Sequence, residues 1–205
     1  MSGTAPVPAG TPTPGAAPRY LVRPAEYADH ARVRQLVAAH PPWTSRHPLP
    51  GNPADNPLLL HLGALDTEGL PMTWALLEHA QLRCCALVSL NATRDRQLRL
   101  HSGSGLALWI DMLYADLDGP DAAMYGPLLT AWFTDYAARH EQVGWVCAWL
   151  SDGPVADDLG ARHGMEILRS EPTASSLLRR RPTRLPSLDR MIEAQLPPCV
   201  GSRRP

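Results

Sequence analysis

Residues 106 to 150 read LALWIDMLYADLDGPDAAMYGPLLTAWFTDYAARHEQVGWVCAWL, and this stretch decides the fold. Leu106 to Asp116 is apolar, rich in large residues and flanked by glycines, which is typical of a mostly buried strand. After a glycine-containing turn at Asp118 to Gly126, apolar residues recur at steps of three and four, the spacing of one helical face. Gly144 to Leu150 is short and carries two Trp and a Val, which favours a second strand. Because a helix lies between them, the two strands should be parallel neighbours in one sheet.

The residues that follow extend this alternation of helix and strand. Pro154 to Gly164 predicts a helix, since proline suits the first helical turn and glycine suits a left-handed cap. Met165 to Ser170 should be the next strand, and Ser175 to Arg181 should add a last edge strand. A tail follows, with one short helix expected at Ser187 to Leu196.

The upstream residues predict the beginning of the same domain. Tyr20 to Pro24 predicts a short strand, and Glu26 to His40 predicts a helix with one apolar face. Residues 41 to 57 hold six prolines, so we expect a loop there without a helix or strand. Met72 to His79 and Leu82 to Leu90 predict two strands joined by a short polar turn.

Length and composition limit the possible classes of function. With 205 residues, we expect a leader at 1–19, a single domain at 20–181 and a tail at 182–205. The net charge of -1 gives no whole-molecule attraction to nucleic acid or to anionic membranes. All 19 basic residues are Arg, which excludes lysine chemistry such as a Schiff base. This Ala-, Pro- and Arg-rich composition without lysine is typical of a GC-rich bacterial genome.

The sequence also predicts the compartment and the state of the thiols. It contains no run of eighteen apolar residues, so no transmembrane helix is expected. Residues 1 to 19 hold five prolines and no apolar core, which predicts a disordered leader and not a signal peptide. The four Cys lack CxxC spacing and should be buried or idle thiols in a cytoplasmic protein. The eight His lack HxxxH or HxH spacing, so no metal site is expected.

The order of the predicted elements resembles that of the GCN5-related N-acetyltransferases, the GNAT superfamily. Val22-Arg-Pro-Ala resembles the family's first strand and the beginning of its first helix. Tyr114-Ala-Asp, Gly126-Pro-Leu-Leu at a helix start and Trp132-Phe-Thr-Asp-Tyr-Ala-Ala-Arg-His resemble the family's cofactor motif. Leu159-Gly-Ala-Arg-His-Gly-Met-Glu resembles its last helix.

The resemblance covers residues 20 to 181 and implies both a fold and an activity. It implies an α/β fold, with a mixed central sheet and helices on both faces, in a divergent bacterial member of the family. It also implies acetyl transfer from acetyl-CoA, as co-substrate, to a primary amine of a small molecule or peptide. Neither a nucleic acid nor a membrane is an expected partner, and a homodimer is left open.

The resemblance also assigns residues that would bind the cofactor. Backbone groups of the long strand would pair with the pantetheine arm, and these belong to Met112, Leu113, Tyr114 and Ala115. Amides at the following turn and helix start would hold the pyrophosphate, because unpaired N–H groups and the helix dipole favour an anion there. The residues of this cradle would be Ala122, Ala123, Met124, Tyr125, Gly126 and Leu128.

Catalytic and substrate-binding residues follow less directly from the resemblance. The family's proton-donating Tyr aligns with Gly160, which has no side chain to donate a proton. Asp111, a carboxylate in an apolar strand, is our candidate for the general base, and Tyr114 is our candidate for the proton donor. Both also have an ordinary interpretation, as a satisfied polar residue and as a packing aromatic. Trp43 is a candidate wall of the acceptor pocket.

Three features of the sequence keep other interpretations open. The turn carries Asp121 and Met124 where the family has Arg or Gln and glycine, which favours a weak or inactive binding module. An unrelated α/β domain would apply if the strands at 106–116 and 143–150 were not parallel neighbours. The arginines at 179–181 and Arg184 suit either a phosphate or RNA contact, or an ordinary solvated surface.

Overall fold

The structure is a computed structural model, and it describes residues 18–42, 44–45, 52–63, 71–90, 106–150, 164–170 and 176–196. Within these residues the strands are β1 (Tyr20–Pro24), β2 (Thr44–Ser45), β3 (Met72–Glu78), β4 (Gln81–Leu90), β5 (Leu106–Ala115), β6 (Val143–Leu150), β7 (Glu166–Ser170), β8 (Ser176–Arg180) and β9 (Ile192–Ala194). The α-helices are α1 (His30–Ala39), α2 (Pro57–Leu60) and α3 (Ala122–Ala137). Single 3-10 turns lie at Tyr27–Asp29, Pro53–Asp55 and Leu188–Arg190.

The nine strands of the described residues form one mixed sheet, in the order β7-β8-β6-β2-β5-β4-β3-β1-β9. β5 and β6 are parallel, with Leu106 opposite Val143 and Ile110 opposite Ala148. β1 and β9 are also parallel, whereas β1–β3, β3–β4, β4–β5, β6–β8 and β7–β8 are antiparallel. The parallel pairing across α3 confirms the unit predicted from residues 106 to 150.

Helices cover both faces of this sheet, as predicted. Leu108 and Ile110 of β5 point to the face on which α3 packs through Leu129 and Phe133. Further along β5, Met112 and Tyr114 belong to the cluster that includes the apolar residues of α1 and α2. The periodic apolar faces of the predicted helices are therefore the surfaces that become buried.

The short polar turn between β3 and β4 has an unusual backbone. Glu78 pairs with Gln81, so His79 and Ala80 alone connect the strands. Both have positive φ, 50° and 62°, the handedness that matches the twist of a two-residue hairpin. Neither is glycine, so each adopts a conformation that costs an L-residue free energy. A guanidinium N–H of Arg32 donates to the carbonyl of Ala80 at 3.0 Å and helps to hold the turn.

Three predictions of local structure need correction. Residues 41 to 57 are not a plain loop, because β2, a 3-10 turn and the start of α2 lie within them. β8 is not an edge strand; it pairs with both β6 and β7, and β7 lies at the edge. The expected helix at Ser187 to Leu196 is a single 3-10 turn followed by β9, because residues 192–194 pair with β1.

The C-terminal segment is tied to the domain at two points. Beyond β9, the amide of Gln195 donates to the carbonyl of Val22 at 2.9 Å. Before it, the amide of Leu185 donates to the buried carboxylate of Asp135 on α3 at 2.6 Å, and Arg184 lies 3.1 Å from the same carboxylate. These contacts hold the segment after residue 181 against β1 and α3.

Several expectations fall outside the described residues. They concern the leader at residues 1–17 and most of the helix predicted from Pro154 to Gly164. Gly164 itself is described and has φ of 62°, as expected for a left-handed cap. Within the described part of the chain, no helix combines the length and apolar character required to cross a membrane.

The hairpin geometry predicts that Ala80→Gly stabilises the protein. Glycine has no Cβ penalty at φ of 62°, so the free energy of unfolding should rise by about 1 kcal/mol, measured by urea denaturation. The control is Ala38→Gly on the exposed side of α1, where the same substitution should lower it by up to about 1 kcal/mol. A loss of stability in Ala80→Gly would contradict the strained turn.

Candidate functional site

The candidate site lies where β5 and β6 separate. The two strands pair from Leu106 to Ile110 on β5. On its other edge, β5 pairs Ile110 with Val88 and Met112 with Leu87, so Asp111 is the extra residue of a β-bulge. A bulge bends its strand and re-aims the side chains beside it, and bulges are over-represented next to active sites. The bulge thus marks the point beyond which β5 no longer pairs with β6.

Asp111 is held in this bulge by a hydrogen bond. Its carboxylate is 6% exposed, and the hydroxyl of Ser89 on β4 donates to it at 2.6 Å. A hydroxyl donor at this distance stabilises the carboxylate and fixes its orientation.

Tyr114 lies three residues along β5 and has a different partner. The side-chain amide of Asn56 donates to its hydroxyl at 3.0 Å, and Asn56 caps α2 by accepting from the amide of Leu58. Burial raises the pKa of Tyr114 above its ordinary value, although the hydrogen bond from Asn56 acts in the opposite direction. The phenol therefore stays protonated at neutral pH and can act as a proton donor.

The backbone that was expected to hold the pantetheine arm has a partner from the same chain. β2 pairs antiparallel with β5, with Thr44 opposite Leu113 and Ser45 opposite Met112. Thr44 also lies opposite Leu150 of β6, so β2 fills the opening between the two strands. Tyr114 and Ala115 pair on the other edge of β5 with Cys85 and Cys84.

The helix start expected at Gly126 is wrong, because α3 begins at Ala122. Gly126 and Leu128 therefore lie inside the helix, where amides bond to the carbonyl four residues earlier. Pro127 is also inside α3, where it removes one such amide. The amides without an intrahelical acceptor are consequently those of the first turn, which include Ala122, Ala123 and Met124.

The turn before α3 is acidic, and part of its backbone is already bonded. The amide of Ala122 donates to the backbone carbonyl of Gly119 at 3.2 Å, and that of Met124 donates to the backbone carbonyl of Asp121 at 2.7 Å. Asp121 is paired with Arg19, whereas Asp118 is exposed. The side chain of Asp121 makes no capping hydrogen bond to α3, so a carboxylate at this turn opposes a diphosphate through charge alone, and the guanidinium of Arg19 offsets part of that charge.

A buried carboxylate that the sequence indicated only as a turn residue organises this end of the sheet. Glu78 is 2% exposed, and it accepts from Tyr125 at 2.9 Å and from Arg19 at 2.6 Å. Arg83 Nε lies 3.3 Å from the same carboxylate. Burial alone would raise the pKa of Glu78, but these hydrogen bonds and positive charges hold it below its usual range. The only sequence signal was an acidic residue at the end of an apolar strand.

A cavity of about 350 Å³ lies beside this network, between α1 and the ends of β4 and β5. Arg32, His40, Arg83 and Asp116 are among its lining residues. In the described ranges, His40, Asp116 and Asp118 are the one trio of potential metal ligands within 4.8 Å of one another. Arg83 donates to Asp116 at 2.7 Å, and this positive charge opposes a cation at the same carboxylate.

The arginine-rich segment contacts its own domain. Arg179 and Arg181 lie over the ring of Trp145, at 4.2 and 3.8 Å from its centroid. Arg179 also donates to Glu166 at 2.8 Å. These contacts favour a structural role for the segment over a phosphate or RNA site.

The remaining candidates are thiols and residues outside the described ranges. Cys84, Cys85 and Cys147 are buried, and burial raises the pKa of Cys147 to about 12. These thiols therefore stay protonated and are poor nucleophiles. Trp43 and Gly160 lie outside the described residues, so their expected roles stay predictions.

Comparisons with known proteins identify the fold. No family model matches the sequence, and no curated protein sequence matches it. Among solved structures, Arabidopsis thaliana NAA60 in complex with a bisubstrate analogue has a TM-score of 0.59 at 12% identity, covering 79% of this chain and 97% of that one. The same protein in complex with acetyl-CoA has a TM-score of 0.57 at 14% identity, covering 79% and 98%. A GNAT-family acetyltransferase from Streptococcus pneumoniae has a TM-score of 0.52 at 15% identity, covering 80% and 99%. The chain therefore has the GNAT acyltransferase fold.

The Glu78 network predicts a pH dependence of stability. Because the pKa of Glu78 is lowered by folding, its contribution is present at neutral pH and is lost as the pH falls through the unfolded and then the folded value. Glu78→Gln should lower the free energy of unfolding by about 2 kcal/mol at pH 7 and by much less near pH 3. Denaturant unfolding between pH 7 and 3 measures this difference.

The matched control is Glu141→Gln, which changes an exposed carboxylate in the same way. Its stability should follow that of the wild type across the whole pH range. If the free energies of unfolding of Glu78→Gln and of the wild type changed in parallel with pH, the contribution of Glu78 to stability would not depend on its charge.

Proposed function

We propose that this protein transfers an acetyl group from acetyl-CoA to a primary amine of a small molecule or peptide. The observation that supports this most directly is the bulge at Asp111, where β5 leaves its parallel neighbour in a fold shared with an acetyl-CoA-bound protein. The edge of β5 beyond the bulge can pair with an extended chain, as its pairing with β2 illustrates. A pantetheine arm with its two amides is such a chain.

In this proposal, the bound co-substrate supplies a thioester whose carbonyl carbon bonds to the amine nitrogen while the carbon–sulfur bond breaks. Asp111 accepts the proton that the amine nitrogen loses, directly or through one water molecule. Tyr114 gives its phenolic proton to the departing sulfur and is later reprotonated from solvent. Ser89 and Asn56 hold these two groups at their places on β5.

The same proposal assigns the binding residues along β5 and α3. The backbone of Met112, Leu113, Tyr114 and Ala115 would pair with the arm, and amides at the start of α3 would face the diphosphate. Among these amides, that of Ala123 lies between two that are already bonded within the turn. Trp43 would line the acceptor pocket, and Gly126 and Leu128 would contribute through packing inside α3.

A second candidate is a catalytically weak or inactive module of the same fold. Two observations favour it: the acidic turn at Asp118 and Asp121, and Gly160 in the place of the family's Tyr. In such a module, the opening between β5 and β6 would serve binding or regulation without turnover. The two candidates differ in a measurable way, because only the first transfers acetyl groups.

The test of the proposed function is calorimetric titration of the protein with acetyl-CoA, with desulfo-CoA as a control ligand. We expect a dissociation constant in the micromolar range for both ligands, because the thiol contributes little to the pairing of the arm. A panel of primary amines and peptides is then screened for release of free CoA. Absence of binding at millimolar concentration would rule out the enzyme, and binding without turnover would favour the inactive module.

Asp111→Asn should separate catalysis from binding. Asparagine keeps the shape and the acceptor for Ser89 but cannot take up the proton, so kcat should fall by about 100-fold or more. The dissociation constant for acetyl-CoA, measured by calorimetry, should stay the same. The control Asp189→Asn, at an exposed carboxylate in the C-terminal segment, should keep full activity. An unchanged kcat across pH in Asp111→Asn would exclude Asp111 as the base.

A further inference from the structure

Strand β2 is unusual in position and in length. It consists of Thr44 and Ser45 alone, yet it lies between two strands that are parallel neighbours closer to their beginnings. Thr44 is opposite Leu113 on one side and Leu150 on the other, and Ser45 is opposite Met112. Two residues from the α1–α2 connection therefore bridge β5 and β6 directly beyond the Asp111 bulge.

This position coincides with the edge that the proposed function assigns to the co-substrate. A backbone amide has one hydrogen to donate, so an edge that is paired with one extended chain is blocked for a second. Met112 and Leu113 cannot pair with β2 and with a pantetheine arm at the same time. Binding of the arm thus requires that β2 leaves.

We propose that Thr44–Ser45 is a displaceable strap that occupies the acyl-CoA groove of the free protein. The inference rests on the proposed function, because it concerns the same groove. In the strapped state the backbone of Thr44 and Ser45 pairs with this edge of β5. In the unstrapped state the same edge is available to the pantetheine arm. The strap therefore acts as an intramolecular competitor of the co-substrate.

The surrounding structure permits the strap to leave without unfolding the domain. Before the strap, α1 is anchored by Val33, Leu36 and Val37, and after it α2 is anchored by Leu58 and Leu59 in the same apolar cluster. Both anchors share this cluster with Cys85 and Leu87 of β4 and Met112 of β5. Pro41 and Pro42, which precede the strap, cannot donate to a ladder, and this limits how far the pairing can extend toward α1.

The strap is joined along the chain to a residue that hydrogen-bonds the proposed proton donor. The connection that contains it ends at Asn56, whose side-chain amide donates to the hydroxyl of Tyr114. Asn56 also caps α2, so this residue has a fixed place at the end of the strap's own connection. Departure of the strap can thus expose the groove while Tyr114 keeps its partner.

The competition has a defined effect on affinity. When only a fraction of the molecules is unstrapped, the apparent dissociation constant equals the intrinsic one divided by that fraction. The variant Thr44→Gly/Ser45→Gly weakens the strap, because glycine loses more backbone freedom than other residues when it is ordered in a strand. Calorimetric titration with desulfo-CoA should give a dissociation constant about fivefold or more below that of the wild type.

The matched control is Ala54→Gly, an exposed position of the same connection that lies outside β2. Its affinity for desulfo-CoA should equal that of the wild type. Circular dichroism and thermal unfolding of the three proteins check that each is folded.

Hydrogen exchange on the wild-type protein gives a second readout that requires no variant. Addition of desulfo-CoA should remove protection from the peptide that contains Thr44 and Ser45. Protection of Met112 and Leu113 should remain, because the arm replaces the strap on the same edge. Increased protection of both segments would show that the strap stays in place and would overturn the inference.

The outcomes separate this inference from the proposed function. Tighter binding by the glycine variant than by a wild-type protein that also binds supports both. Binding seen in the variant alone supports the strap and leaves the wild-type protein as the inactive module. Equal or weaker binding by the folded variant overturns the strap and leaves the acyl-CoA groove standing. No binding by either protein at millimolar concentration overturns the proposed function, and the strap as a competitor with it.

Discussion

Strand β5 lies between β4 and β6 near its beginning, and its pairing with β6 ends at the bulge at Asp111. β4 pairs with β5 on both sides of the bulge and leaves only Asp111 unmatched, so the pairing on that edge continues to Ala115. β6 pairs only as far as Ile110, and the edge beyond it is taken by β2. A backbone edge buried in a sheet must find partners, because unpaired amides and carbonyls are costly away from water. The candidate groove, its occupant and the position of Asp111 all follow from this one interruption.

A second constraint acts at the ends of β3, β4 and β5, where buried charge must be neutralised. Glu78 is enclosed by Arg19, Arg83 and Tyr125, and Arg83 also pairs with Asp116 after β5. Removal of one member of such a group leaves an uncompensated buried charge, so the group acts as a unit. Tyr125 brings the start of α3 into it, so the network connects the β3–β4 hairpin to the turn where an anion would bind.

The sequence allowed prediction of the strands and helices in which apolar residues recur at a regular spacing. β5, α3 and β6 could be predicted because their apolar residues follow the repeat of a strand or a helix over many positions. β2 and β9 could not, since two and three residues hold no period and their pairing is decided by distant strands. The start of α3 was misplaced because Gly126-Pro127 looks like a boundary. The helix-forming residues Ala122, Ala123 and Met124 instead extend it toward Asp121.

The site residues divide in the same way. Asp111 stood out because a carboxylate in an apolar strand needs a partner, and Ser89 is that partner. Glu78 did not stand out, because an acidic residue beside a turn is ordinary until its burial is known. The difference is physical. A carboxylate within an apolar strand is a local anomaly that the sequence displays. A network depends on residues that are far apart in the chain, and Arg19, Glu78 and Tyr125 are separated from their partners by 47 to 102 residues.

If the protein binds acyl-CoA as proposed, two features of the chain oppose that binding, and they act on different parts of the ligand by different forces. The carboxylates of Asp118 and Asp121 act on the diphosphate through charge, so salt weakens their effect, with a screening length of about 8 Å at physiological ionic strength. The strap acts on the pantetheine arm through backbone hydrogen bonds within the sheet, and these do not depend on ionic strength to the same degree. A low affinity that recovers with salt would therefore point to the turn, and one that does not would point to β2. Because the two effects act on separate parts of one ligand, their free energies should add, and either can be removed without the other.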